Sequence, residues 1–178
     1  VSGVLFERVR FDSGADVETS LMGMPLIETE IGFLVGADVT APVSRDNVIG
    51  VLASFMPMVE IVDVSFSQRP IVTDIIACNV AAAYYIQSGD QYDAAKVNDA
   101  ALRFYADGVL KHEGAAIDAL GDQLEAAAWL INHTLEKGYP VSAGHVLMTG
   151  SLGAVYPGRP GSYRVEYGEF GEIVFSLK

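Results

Sequence analysis

Two stretches decide how this chain folds: Leu26-Ile27-Glu28-Thr29-Glu30-Ile31-Gly32-Phe33-Leu34 and Met58-Val59-Glu60-Ile61-Val62-Asp63. Both are apolar runs of strand length, and both carry carboxylates. In the first, Ile27, Thr29, Ile31 and Phe33 alternate with Glu28, Glu30 and Gly32. A strand has a side-chain period of two, so Glu28 and Glu30 project from one face, side by side. Like charges so placed repel unless something positive lies between them. Taken alone, the pair fits a solvated strand face as well as it fits a metal site. Glu60, enclosed by Val59, Ile61 and Val62, turns the balance towards metal. Three hard oxygen donors with no Lys or Arg nearby suit a divalent cation, Mg²⁺ or Mn²⁺.

Outward from these runs, Val4 to Arg10 reads as a strand and Asp12-Ser13-Gly14 as a turn. Ser44 is placed to cap a helix through Asn47, Val48, Val51, Leu52 and Phe55, which Pro57 ends before the Glu60 strand. Ser65 to Pro70 is loop, Ile71 to Asn79 is ambiguous, and Ala81 to Ile86 suits a strand. Asp107-Gly108, between two apolar runs, signals a hairpin. The clearest helix runs from Asp122 to Glu136, with Gly138 and Pro140 stopping it. Short strands follow at 146–149, 163–167 and 173–177. Helices do not alternate with strands, so a doubly wound parallel sheet is excluded in favour of one α+β, mostly β domain over 1–178 with two or three helices.

Composition limits function. The 178 residues suit one domain, and 51% apolar against 19% charged residues marks a folded chain. The 11 basic and 23 acidic residues leave a net charge of −12, which argues against nucleic acid or an anionic membrane surface as partner. A small anionic substrate stays possible, because a bound metal reverses the local field. The lone Cys78 permits no internal disulfide and fits a reducing cytoplasm. The N-terminal residues do not form a signal peptide, since Glu7 and Arg8 interrupt them, and no apolar run is long enough for a membrane helix.

Further segments carry a family likeness: Gly114-Ala115-Ala116, Ala126-Ala127-Ala128-Trp129-Leu130-Ile131-Asn132, Ser142 through Leu152, and Tyr167-Gly168-Glu169-Phe170-Gly171. With the glutamate runs, their order resembles the fumarylacetoacetate hydrolase superfamily over essentially the whole chain. The branch it is most similar to holds the 2-hydroxypenta-2,4-dienoate hydratases and 4-oxalocrotonate decarboxylases of aromatic-compound catabolism. The resemblance implies a mixed β-roll, an oligomer, and one Mg²⁺ or Mn²⁺ held by a Glu-x-Glu pair and a glutamate about thirty positions later, here Glu28, Glu30 and Glu60. It implies a 2-oxo or 2-hydroxy-dienoic acid as substrate and a companion pathway enzyme as partner. Ser151, in Thr149-Gly150-Ser151-Leu152, then donates to the acid's carboxylate beside Leu152, and Asn79 orients the substrate.

The chain departs from the family in three places. Its usual Asp-Asn-Ala-Ser segment reads Cys78-Asn79-Val80-Ala81. The loop after Asp63 lacks the usual Lys and Trp. The family's proton-moving Lys and Asp are not visible, for the Asp position falls at Val1 and the Lys would precede it, so a missing N-terminal segment is expected and no catalytic acid or base is assigned. The expected activity is hydration. The alternatives are a decarboxylase of the 4-oxalocrotonate type and a catalytically silent structural subunit of the same fold. The remaining candidates have plainer expectations: His145 as a turn residue, His112 and His133 at the surface, Asp63 capping a turn, and Cys78 and Trp129 buried.

Overall fold

The computed structural model describes residues 1–178. Its strands are β1 (Arg10–Asp12), β2 (Ala15–Val17), β3 (Pro25–Val35), β4 (Leu52–Asp63), β5 (Ala82–Gln87), β6 (Ala101–Ala106), β7 (Val109–Ala115), β8 (Val146–Met148), β9 (Tyr156–Pro157), β10 (Gly161–Glu166) and β11 (Glu172–Leu177). Two α-helices, α1 (Val72–Ala77) and α2 (Gln123–Glu136), and short 3-10 turns complete the chain. One sheet runs β1-β5-β4-β3-β8, with β9 also pairing β3; the other runs β2-β11-β10-β6-β7. Both are mixed, because β1 lies parallel to β5 and β2 parallel to β11 while the other pairs are antiparallel. The expected α+β, mostly β architecture is present.

The long β3–β4 pair is the spine. Ile27, Ile31 and Phe33 of β3 and Val59 and Ile61 of β4 turn to one side and are buried to 1% exposure or less. There they meet Phe104, Val165 and Ile173 of the second sheet in one apolar cluster of 34 buried residues. The residues between them, including all three glutamates, face the other way, beside a small cluster of Met56, Met58 and Tyr85.

Two helix signals came out as expected. Asp122 accepts hydrogen bonds from the Leu124 and Glu125 amides at 2.8 and 3.4 Å and so caps α2, a contribution of about 1 kcal/mol. Gly138 ends the helix at φ +79°. In the hairpin, Asp107 and Gly108 both take positive φ, as a two-residue turn of this type requires.

Several expectations need correction. Val4 to Arg10 is not a strand: Glu7–Val9 form a 3-10 turn and pairing begins only at Arg10. The Ser44 helix shrinks to a 3-10 turn at Val48–Val51, because the chain from Leu52 onward pairs along almost all of β3. Local helical spacing loses to that ladder. Pro57 stops nothing; it sits inside β4 opposite Ile31. Its missing N–H faces the side where β5 has already ended at Gln87, and its carbonyl accepts from Ser88 at 3.1 Å. A proline is tolerated where the ladder asks for no donor. Trp129 is 44% exposed, stacked on His133 along the outer side of α2, and Cys78 is exposed rather than buried.

Candidate metal centre

Register builds the site. In the β3–β4 ladder Glu28 lies directly opposite Glu60, and Glu30 opposite Met58. Side chains of opposed residues stand close enough to touch, and diagonal neighbours come within reach of long side chains. A carboxylate oxygen from each of Glu28, Glu30 and Glu60 lies within 4.8 Å of the others. Glu30 and Glu60 are buried, at 3% and 8% exposure, and Glu28 is half-buried. None of the chain's ion pairs involves any of the three. Beside the site, Gly32 leaves room for the Met58 side chain, which a Cβ there would meet at 2.1 Å.

The electrostatics follow from that crowding. Burial raises the Glu30 pKa well above the ordinary value; the charges of Glu60 and Glu28 raise it further, and the Gly150 amide opposes them. Burial and then the Glu28 charge push Glu60 up to about 7. Burial also raises Glu28, with the nearby Ser151 hydroxyl pulling the other way. Three mutually repelling carboxylates with no cation among their partners form a donor set suited to one hard divalent ion, which would neutralise all three at once.

The loop after β8 closes one side of this cage. Thr149 N–H and Leu152 N–H donate to Ile31 and Thr29 of β3, at 3.2 and 2.7 Å. Between those anchors, Gly150 at φ +105° turns its N–H onto Glu30 Oε2 at 2.9 Å. A side chain there would be strained by the positive φ. Ser151 Oγ is buried beside Glu28 without a well-formed hydrogen bond to any protein group. Leu152 turns into the main core with no exposed surface, and its carbonyl accepts from Thr29 Oγ1 at 2.8 Å.

On the other side of Glu60, a cleft of about 200 Å³ runs past Tyr85 and Ala82 to Asn79 and the Val4–Val9 segment. Its charged lining groups are Glu60 and Arg8. Asn79 does line this cleft, but its amide is engaged: Val4 N–H donates to Oδ1 at 2.7 Å and Nδ2 donates to the Val4 carbonyl at 2.9 Å. The structure therefore gathers Glu28, Glu30, Glu60 and Ser151 into one place, sets Asn79 in the adjoining cleft, and takes the Leu152 side chain away from both.

The other candidates resolve plainly. Asp63 accepts from the amides of Gly23, Met24 and Ser65 at 3.3, 3.0 and 3.1 Å, so it caps a turn. His145 closes its own turn through Ser142, whose N–H donates to Nδ1 at 3.3 Å. His112 stacks on Phe104 and is partly buried. Sequence reasoning missed Arg8, Tyr85 and Gln123. Arg8 and Tyr85 reach the cleft only through tertiary structure. Gln123 looks like an ordinary first residue of a helix, and nothing near it in sequence signals burial.

No family-level sequence model matches the chain. The chain is 29% identical to the 2-hydroxyhexa-2,4-dienoate hydratase of Comamonas testosteroni, an alignment covering 89% of this chain and 62% of that one. It is 28% identical to the 2-oxo-hept-4-ene-1,7-dioate hydratase of Escherichia coli, over 96% of this chain and 68% of the other. Among solved structures, the 4-oxalocrotonate decarboxylase of Pseudomonas putida G7, complexed with magnesium and adipate, superposes with a TM-score of 0.92 at 24% identity, over 99% of this chain and 69% of that one. The fold is shared with that decarboxylase and with the fumarylpyruvate hydrolase of Pseudomonas aeruginosa (TM-score 0.70), as the resemblance to the fumarylacetoacetate hydrolase superfamily implies. The likeness to its hydratase and decarboxylase branch, first read from the glutamate runs, holds. The chain spans roughly three-fifths to two-thirds of the length of these curated relatives.

Proposed function

We propose that this chain is a Mg²⁺- or Mn²⁺-dependent lyase that hydrates a small 2-hydroxy-dienoic or 2-oxo acid. The observation that carries the proposal is the placement of Glu28, Glu30 and Glu60, on paired strands and unneutralised by any cation, within 4.8 Å of one another. The relatives support it: they are hydratases and decarboxylases of such acids by name, and the decarboxylase neighbour was crystallised with magnesium and a dicarboxylic acid.

The three glutamates would hold the ion. When bound, it supplies Lewis-acid polarisation of the acid's 2-oxo or 2-hydroxy oxygen. The chain's own residues do the rest. Gly150 N–H donates to one oxygen of Glu30 and so fixes the orientation of its carboxylate. Ser151 Oγ, buried beside Glu28 without a well-formed hydrogen bond, would donate to the substrate carboxylate. Asn79 and Val4 shape the cleft wall. The family's acid–base pair has no counterpart assigned among these residues, and general acid–base help of that kind adds about 10²–10⁴-fold. Decarboxylation of a 4-oxalocrotonate-type acid is the second reading, supported by the 27% identity to the 4-oxalocrotonate decarboxylase of Pseudomonas sp. (strain CF600). We further propose that residues 1–178 form one domain of a protomer that works as a homo-oligomer in the cytoplasm, alongside a companion pathway enzyme; the lone Cys78 supports the reducing compartment.

The test is turnover. A 2-hydroxy-dienoic acid loses its conjugated-diene absorbance on hydration, and a 4-oxalocrotonate-type acid releases CO₂ on decarboxylation. Diene loss that requires Mg²⁺ or Mn²⁺ and vanishes in Glu60→Ala supports the hydratase, and CO₂ release with the same dependence supports the second reading. Turnover that survives in Glu60→Ala rejects the ligand assignment.

A further inference from the structure

Behind the cage lies a polar connection that neither the fold nor the proposed chemistry explains. Gln123, the first residue of α2, has no exposed surface at all. Its Nε2 donates to the Ala116 carbonyl at 2.6 Å, and its Oε1 accepts from Thr149 Oγ1. Its own N–H donates to Asn98 Oδ1 at 2.9 Å. Burying an amide is unfavourable unless its groups are paired, and an apolar side chain would fill the same space without that demand. The residue at the far end of the connection is informative. Thr149 is the last anchor before Gly150, whose N–H holds Glu30, and Ser151, which faces Glu28. Thr149 Oγ1 also lies 3.2 Å from the Ile31 carbonyl on β3. One hydroxyl thus joins the start of α2, the loop and the strand that carries two of the glutamates.

We infer that Gln123 is a positioning residue, which acts through Thr149 to hold the Gly150–Ser151 turn against the Glu28–Glu30–Glu60 cage. This rests on the metal-site reading above, since the turn matters to function only if the cage takes a cation. Hydrogen bonds to a metal ligand fix its orientation, and their loss typically lowers metal affinity by about 10–100-fold. Gln123 is one step further removed, so the lower end of that range is expected.

The test uses Gln123→Leu and, should that variant fail to fold, Thr149→Val; Thr149→Ser keeps the hydroxyl. Amide hydrogen exchange in the metal-free protein is read first at Gly150 and Leu152, whose N–H groups are bonded to Glu30 and to the Thr29 carbonyl, and, as reference, at Tyr105 and Ala106 in the β6–β7 hairpin. The inference predicts exchange about tenfold faster at the two loop amides, with little change in the hairpin and wild-type behaviour in Thr149→Ser. Uniformly faster exchange, or none, overturns it, because either result makes Gln123 a stability element only. Mn²⁺ affinity is read next by calorimetry, with about a tenfold loss expected in the variants. Unchanged affinity in a variant whose loop amides have loosened also overturns it. If the wild-type chain binds no Mn²⁺, the proposed function fails, while the exchange data still judge the brace by themselves.

Discussion

The two faces of the β3–β4 pair have opposite characters although they share one backbone. Inward, Ile27, Ile31, Phe33, Val59 and Ile61 are dry and apolar, and each is placed where its removal from water stabilises the fold. Outward, Glu28, Glu30 and Glu60 are crowded, partly desolvated and raised in pKa, so they oppose folding until something neutralises them. A strand pair with a firm inner face can hold strained electrostatics on its outer face. Natural proteins place such tension where function needs it.

The contrast can be broken most completely at Glu60. Glu60→Ala is expected to abolish metal-dependent turnover and reduce Mn²⁺ binding below detection, while the metal-free protein stays folded by circular dichroism. The inner face should respond in reverse. Ile61→Ala, one residue away, is expected to cost about 2–5 kcal/mol in urea unfolding, with the folded fraction keeping its Mn²⁺ affinity.

A third test uses pH. Glu60 has its folded pKa pushed up to about 7 from an ordinary 4.5, and Glu30 is raised as well. Between those limits the unfolded chain gives up protons that the folded chain keeps, so folding stability falls as pH rises. Metal-free protein should therefore lose stability from pH 5 to 7, and saturating Mn²⁺ should reduce or reverse that trend. Groups with lowered pKa, such as Asp63, act in the opposite sense and below this window. Urea midpoints at pH 5, 6 and 7, with and without Mn²⁺, check the sign.

The smallest expected effect lies at the cleft's edge. Arg8→Ala should raise KM about tenfold for a dicarboxylic substrate, whose distal carboxylate the guanidinium can meet, and leave KM for a monocarboxylic one unchanged. Equal effects on both substrates would remove Arg8 from substrate recognition.

Much of this was legible in the sequence, and for identifiable reasons. The Ile-Glu-Thr-Glu-Ile alternation revealed a strand with two unlike faces, and Asp107-Gly108 and the Asp122–Gly138 signals gave a hairpin and a helix, because their chemistry is local. The Ser44 segment and Pro57 misled, since a long ladder with β3 decided their conformation. Trp129 misled as well: the other side of α2 already supplied enough apolar surface. That Glu60 stands opposite Glu28 has no local signature, because register is a tertiary property; the apolar residues around Glu60 only hinted that it joins the pair. The burial of Gln123 and the arrival of Arg8 in the cleft had no local signal either.

The measurement that bears most directly on the central claim is calorimetric titration of metal-free protein with Mn²⁺ near pH 7, repeated in buffers of different ionisation enthalpy and with Glu60→Gln. The account predicts one saturable site per chain, proton release on binding because Glu60 and Glu30 have raised pKa values, tighter binding when oxalate is present as a bidentate mimic of a 2-oxo acid, and loss of all three in the variant. Absence of binding in a folded wild-type sample, or binding that survives unchanged in Glu60→Gln, would contradict it.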